Sequence, residues 1–188
     1  MGWFSVPEKI LCRLRGGILR FLITLRGGRC GRGLRVEAGL RLRQGIHSGL
    51  QIGADVYVGR DTTIDCVPGA KLEIGDNATL TQGNFISSVT SVVIDRDTMI
   101  GEYTSIRDAN HSFADVTVPM AAQPMAGNPV AIGRDVWIGR GCAILGGTRI
   151  GDGAIVGANS VVTRDLPDYA IAIGAPARVV SSRTSKTT

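Results

Sequence analysis

Aromatic side chains are scarce in this 188-residue chain, at 5% against 26 glycines. That balance argues against a core built on rings and for many tight turns around a narrow aliphatic interior. The four cysteines, Cys12, Cys30, Cys66 and Cys142, form no CxxC pair. They read as reduced thiols of a cytoplasmic protein rather than a disulfide framework or a thiolate metal site. Histidine occurs twice, at His47 and His111, which narrows the search for a catalytic base. A Walker loop and a dinucleotide fingerprint are missing, since the glycines of 26–31 follow no strand pattern. The apolar runs near the start are too short to span a bilayer, and four arginines within 7–26 spoil a signal-peptide reading.

Acidic residues are almost missing from the front of the chain. Residues 1–45 hold ten Lys or Arg against Glu8 and Glu37, whereas the remainder is slightly acidic. Such a front suits an anionic partner or surface, but without interleaved aromatics it is a poor nucleic-acid binder. Within it, residues 7–26 place Ile10, Leu14, Ile18, Phe21, Leu22 and Leu25 on one stripe of an amphipathic helix, weakened in its middle by Gly16-Gly17. The helix either lies on a membrane surface, at the inner face, or packs as a cap on the end of the following domain or on a neighbouring subunit, and the pattern leaves these open.

What the chain does have is a beat of six. Aliphatic residues open hexads at Ile132, Ile138, Ile144, Ile150, Val156 and Val162, and position five is usually Val, Cys, Thr, Ala or Ser. Upstream the openers are Leu34, Leu40, Ile46, Ile52, Val58 and Ile64, then Ile74, Leu80 and Ile86, then Ile94, Ile100 and Ile106. A period of six fits neither a helix nor a lone strand and implies a β-helix. Three hexads make one triangular turn, so about six turns cover 34–167, and the insertions at 70–73, 92–93 and 112–131 all leave from one corner. The expected organisation is a basic helical segment over 1–33, an all-β repeat over 34–167 with a structureless loop at 112–129, and a cap and tail over 168–188.

The Ile-Gly-x-x-x-x units, Asn110-His111 before a long loop, Val136-Trp137-Ile138-Gly139, the run 155–167 and Ile173-Gly174-Ala175-Pro176-Ala177-Arg178-Val179 resemble the hexapeptide-repeat acyltransferases. Within that family the chain resembles the branch of galactoside, maltose and polysaccharide O-acetyltransferases, over about residues 50–180. The resemblance implies a left-handed parallel β-helix, a homotrimer, and acetyl-CoA bound in a cleft between two subunits.

Moving an acetyl group from a thioester to a hydroxyl requires a base, and a neutral imidazole suits that task. His111 ends its hexad beside the long loop and matches the family's general base. His47, second in its hexad, reads as a surface residue. The resemblance further implies that Asn110, Trp137, Met120 and Met125, with Phe113, wall the acceptor or pantetheine pocket. Asn84 lies near the family's acceptor-binding asparagine, although the following turn differs by one residue. Gly139, Arg140, Ala158, Thr163, Arg164 and Arg178 match coenzyme A contacts, with Arg183 a weaker addition. Carbonic anhydrases on the same repeat need three histidines on zinc, more than this chain holds, so no metal is expected. The expected activity is acetyl transfer to a hydroxyl of a sugar or cell-surface glycan precursor. An N-acetyltransferase of an amino sugar or antibiotic-type acceptor and a non-catalytic trimeric scaffold are the alternatives.

Overall fold

The computed structural model describes residues 6–184. One helix, α1 (Val6–Leu25), precedes a long series of strands of two to five residues. The strands stack in parallel into three sheets, one on each face of a triangular prism. Going round, the first face carries Cys30, Ile52, Ile74, Ile94, Ile132 and Ile150 in register. Val36, Val58, Leu80, Ile100, Ile138 and Val156 line the second, and Leu42, Ile64, Ile86, Ile106, Ile144 and Val162 the third. Except for Cys30 and Leu42 in the first coil, all of them are buried. The fold is thus a parallel β-solenoid of about six turns.

A hexad is one side of the triangle, and its residue preferences follow from the corner it must turn. Position four is left-handed at Asp55, Asn77, Asp97 and Asp135, with φ of 57°, 57°, 61° and 53°, a conformation that Asp and Asn tolerate better than most residues. Position five then points inward, and Val56, Ala78, Thr98, Val136, Cys142, Ala154 and Ser160 are all buried there.

The first coil departs from the register expected from the hexads. Leu34 and Leu40 are fifth-position residues, because Gly33 and Gly39 before them take the positive φ of position four. The true openers are Cys30, Val36 and Leu42. The beat therefore starts at the strand Arg29–Cys30 rather than at Leu34. The difference has a physical cause: at the solenoid end position five is filled by large aliphatics, Leu34, Leu40 and Ile46, which pack with the core beside α1. The insertions do leave from a single corner, where the third face returns to the first, and the return from Leu42 to Ile52 is a further one.

Both ends of the solenoid are covered, which matters because an open coil exposes unpaired backbone. At the far end the strand Ala170–Ile173 continues the second face and Arg178–Ser182 folds back on it antiparallel. At the near end α1 docks with Cys12 and Ile23 buried and Leu19 packed against the core. The helix runs unbroken through Gly16-Gly17 and stops at Gly27 (φ 80°), where the Gly28 amide bonds to the Ile23 carbonyl and the Gly27 amide to that of Thr24, a Schellman ending. The apolar stripe, expected to pack on the domain or on a membrane, is exposed along its length, with Ile18 and Leu22 at its edge bordering an open groove against Leu40, Leu42 and Ile46 of the first coil.

Gly16 decides which face docks. A Cβ at Gly16 would lie 1.8 Å from the Leu34 carbonyl oxygen, whereas one at Gly17 meets nothing within 4 Å. Gly16→Ala is expected to cost about 2–3 kcal/mol by forcing the helix off the coil. Gly17→Ala should instead stabilise by about 0.5–1 kcal/mol through helix propensity. Thermal melting of the two variants reads the opposite signs directly. Nearby, the Glu37 carboxylate accepts hydrogen bonds from the Tyr57 hydroxyl at 2.7 Å and from the Arg60 amide and Nε at 3.0 and 3.1 Å. Burial pushes the Glu37 carboxyl up, but these donors outweigh it and hold the group below the ordinary carboxylate range, tying the first coil to the second.

Candidate active site

The long insertion after Ile106 is an ordered hairpin rather than a structureless loop. The strand Ala109–His111 pairs antiparallel with Met125–Gly127, which sets His111 opposite Met125 and Asn110 opposite Ala126. Between them lies a 3₁₀ turn, Met120–Ala122. The buried Gln123 gathers the loop, its Nε2 donating to the carbonyls of Asp115 at 2.9 Å and Val118 at 3.0 Å. The base of the hairpin is fastened by Asp108, which is fully buried. Its Oδ1 accepts from the Val89 amide at 2.8 Å, and its Oδ2 from the Thr90 and Ser91 amides at 2.7 Å each. The Asp108 carbonyl in turn accepts from the Asn128 amide at 2.6 Å, closing the returning strand. Neither Asp108 nor Gln123 stands out in the hexad pattern, and the only signal for Asp108 is an acidic residue two places after a buried strand opener.

His111 is exposed, and its Nδ1 lies 3.3 Å from the Gln123 carbonyl oxygen. A carbonyl only accepts, so this contact places the ring proton on Nδ1 and leaves the lone pair on Nε2. That is the tautomer a general base needs. His47 has a different use. Its Nδ1 accepts from the Gly49 amide at 3.2 Å and its Nε2 donates to the Cys66 carbonyl at 2.7 Å. His47 is therefore half-buried and staples the Leu42–Ile52 return, rather than standing free on the surface as its place in the hexad suggests.

The remaining expected site residues fall into separate groups. Met120, Met125 and Phe113 are exposed on the same insertion as His111, and Asn110 is exposed beside it. Thr163 and Arg164 follow the strand Val161–Val162 at the same corner, two coils further on, and both are exposed. Gly139, Arg140 and Ala158 stack at the next corner, between the second and third faces, where a Cβ on Gly139 would fall 2.6 Å from the Ala158 nitrogen. Arg178 joins that corner because the Ala177 amide bonds to the Val161 carbonyl.

Trp137 points outward from the second face between Met99 and Ile155 and is half exposed. The second face lies opposite the corner that carries the His111 hairpin, so one chain does not bring Trp137 to His111. Asn84 is turned inward and buried: its Oδ1 accepts from the Thr104 amide at 3.0 Å and its Nδ2 donates to the Thr81 carbonyl at 2.9 Å. It is a fifth-position residue holding the turn, which corrects the expectation that it faces an acceptor.

Tyr103 is a further residue that the repeat pattern does not flag. It takes a left-handed φ of 57° where most hexads use Gly, Asn or Asp and only Tyr169, at 60°, does the same among the described residues, and Arg140 lies over its ring at 5.6 Å. Each tyrosine ring covers a glycine of the preceding coil, Gly83 under Tyr103 and Gly153 under Tyr169, and what sets Tyr103 apart is the exposed Arg140 stacked on it beside Gly139. The cysteines take no part. All four are free, and burial, followed by the charges of Asp108 and Asp65, raises the Cys66 thiol to about 11. Among the described residues no cluster of His, Cys, Asp and Glu could hold a metal ion.

Comparisons with known proteins agree with this architecture. Residues 129–164 match the family described as bacterial transferase hexapeptide (six repeats). A probable acetyltransferase of Mycobacterium tuberculosis, Rv3034c, is 38% identical over 134 residues, which cover 71% of this chain but 44% of that protein. The chain thus spans less than half of that relative. The putative lipopolysaccharide biosynthesis O-acetyl transferase WbbJ of Escherichia coli K12 is 30% identical over 145 residues, covering 73% of this chain and 74% of WbbJ. Among solved structures, a hexapeptide-repeat-containing acetyltransferase of Vibrio cholerae O1 biovar eltor, VCA0836, complexed with acetyl coenzyme A, superposes with a TM-score of 0.64 at 25% identity, over 95% of this chain and 90% of that one. With its hexad solenoid, its inserted histidine hairpin and relatives of this kind, the chain belongs to the bacterial hexapeptide-repeat transferase family, alongside proteins named as acetyltransferases.

Proposed function

We propose that the chain is an acetyl-CoA-dependent O-acetyltransferase acting on a sugar or a cell-surface glycan precursor, with His111 as general base. The observation that carries this reading is the Nδ1 contact to the Gln123 carbonyl on an exposed histidine, which leaves Nε2 as the proton-accepting atom. An acceptor hydroxyl gives its proton to Nε2 as its oxygen bonds to the acetyl carbonyl carbon. The resulting oxyanion is stabilised by backbone amides at a subunit junction. It collapses with cleavage of the C–S bond, and the imidazolium, still held by the Gln123 carbonyl, returns the proton to the thiolate. The steps balance without a metal.

The donor fits the corner between the second and third faces. Gly139 and Ala158 form a low ridge along which a pantetheine arm can lie, and Arg140 and Arg178 offer exposed cations to its phosphates. Thr163 and Arg164 stand at the His111 corner, so donor and base come together best when a second copy supplies one of the two corners. The outward row Met99, Trp137 and Ile155 and the exposed Phe113, Val116, Met120 and Met125 are the apolar surfaces that a homotrimer would cover. The similarity to a lipopolysaccharide O-acetyl transferase supports a glycan acceptor, and a cytoplasmic donor metabolite supports a reaction in that compartment.

The test is thiol release from acetyl-CoA across a panel of sugars, amino sugars, nucleotide sugars and glycan fragments. Release that depends on a hydroxyl acceptor is expected, release with amino sugars alone would move the reading to N-acetylation, and failure to bind acetyl-CoA would overturn it. Arg178→Ala is expected to weaken coenzyme A binding roughly tenfold and leave the acceptor KM unchanged. Titration of coenzyme A onto the variant checks this, and an unchanged affinity would refute the placement of the donor.

A further inference from the structure

The structure leaves one large surface that acetyl transfer does not use. With α1 docked through Cys12, Gly16, Leu19 and Ile23, its other side carries Ile10, Leu11, Leu14, Ile18, Phe21, Leu22 and Leu25, all exposed. At about 100° per residue these seven side chains fill one continuous arc of about 120°. They are not marginal exposures, since Phe21 is 66%, Leu25 65% and Ile10 61% accessible. Both borders of the arc are basic: Arg15 and Arg26 on one side, Arg13, Arg20 and Lys9 on the other, every one exposed. Glu8 is the single acid in the helix. Beyond the helix the first coil adds the exposed Arg29, Arg32, Arg35 and Arg41 at the same end of the solenoid.

We infer that this end of the molecule docks on an anionic phospholipid surface, with α1 lying in the plane of the interface. Three features select that occupant. The surface is broader than the narrow seam by which two helices pair, and past Ile18 and Leu22 it continues across an open apolar groove onto Leu40, Leu42 and Ile46, so it matches a deformable bilayer rather than a single helix. Pairing with a second copy of α1 would set basic border against basic border with only Glu8 to compensate. The cations stand on both edges of the apolar arc, where phosphates lie when such a helix is sunk to the level of the headgroups. No described helix is long and apolar enough to cross a membrane, so the contact is one of lying on the surface. The helix does not have to leave the solenoid to make it, because the docked face and the exposed face are opposite. The inference is independent of the acetyl-transfer reading, and its test does not measure acetyl transfer.

The experiment is flotation of the full-length protein with phosphatidylcholine vesicles, with and without phosphatidylglycerol. The wild type is expected to float with the anionic vesicles and to be released several-fold as salt is raised. Arg13→Ser with Arg15→Ser should weaken that binding by roughly tenfold. Ile18→Asp with Phe21→Asp should abolish it while melting temperature and oligomeric mass stay as in the wild type, since both side chains are exposed. Wild type that stays in the dense fractions with anionic vesicles would overturn the proposal. So would equal flotation with pure phosphatidylcholine, or a change of oligomeric mass in the double aspartate variant, which would assign the arc to a second copy.

Discussion

His111→Ala is expected to lower acceptor-dependent acetyl transfer by about 10²–10⁴-fold, the usual contribution of a positioned general base, while coenzyme A binding and thermal melting stay unchanged. The second half of that expectation follows from exposure: the ring contributes one long contact to the Gln123 carbonyl, at 3.3 Å, and nothing to the core. His111→Gln is a sharper probe, because its amide nitrogen can still donate to that carbonyl but its oxygen is a very weak base. It should be as inactive as the alanine variant. Initial rates of thiol release at saturating acetyl-CoA make the comparison. Activity retained in either variant would remove His111 as the base and leave the chain without an assigned one, since both ring nitrogens of His47 are committed to the fold.

Asp108→Ala should have the largest structural effect of any single polar substitution in the site. The carboxylate is fully buried and accepts from three backbone amides. Each amide left unpaired costs about 1–3 kcal/mol, and with water entering the emptied site to pair part of them the loss falls at the lower end for three, about 3–5 kcal/mol. For a chain of this size that lowers the melting temperature by roughly 6–20 °C. Asp108→Asn keeps the shape but turns one acceptor into a donor facing amides that also donate, so it should recover only part of the loss. Because Asp108 fastens the base of the hairpin that carries His111, it is expected to act on the proposed reaction as a positioning residue. Assayed well below its melting temperature, the Asn variant should show a lower kcat with unchanged KM for acetyl-CoA. A variant with lower stability and an unchanged kcat would confine Asp108 to a structural role.

His111 is legible in the amino-acid sequence as a candidate base because chemistry restricts the choice: it is one of two histidines, and it adjoins the longest break in a strict repeat. Trp137, Met120 and Met125 are legible as large apolar residues at outward or inserted positions, and they are exposed. Asn84 is not, because a polar residue at position five can either face solvent or satisfy a turn, and only its bond from the Thr104 amide distinguishes the two. Tyr103 escapes the pattern because the left-handed corner that makes it unusual is a property of the backbone.

The repeat, the triangular coil and the corner from which the insertions leave are all written in the order of residues, because each depends on local preferences repeated many times. A period of six with small residues at position five admits few other packings. The register of the first coil is different, since Leu34 and Leu40 are as aliphatic as any opener and only their packing beside α1 sets them at position five. Docking of α1 through Gly16, with its apolar stripe turned outward, likewise emerges only in three dimensions, since an amphipathic pattern does not say what its apolar face meets. The hairpin around His111 belongs with these. The Asp108 carboxylate and the Gln123 amide gather backbone groups from other stretches of chain, and no local pattern encodes a hydrogen bond to a group that another segment supplies.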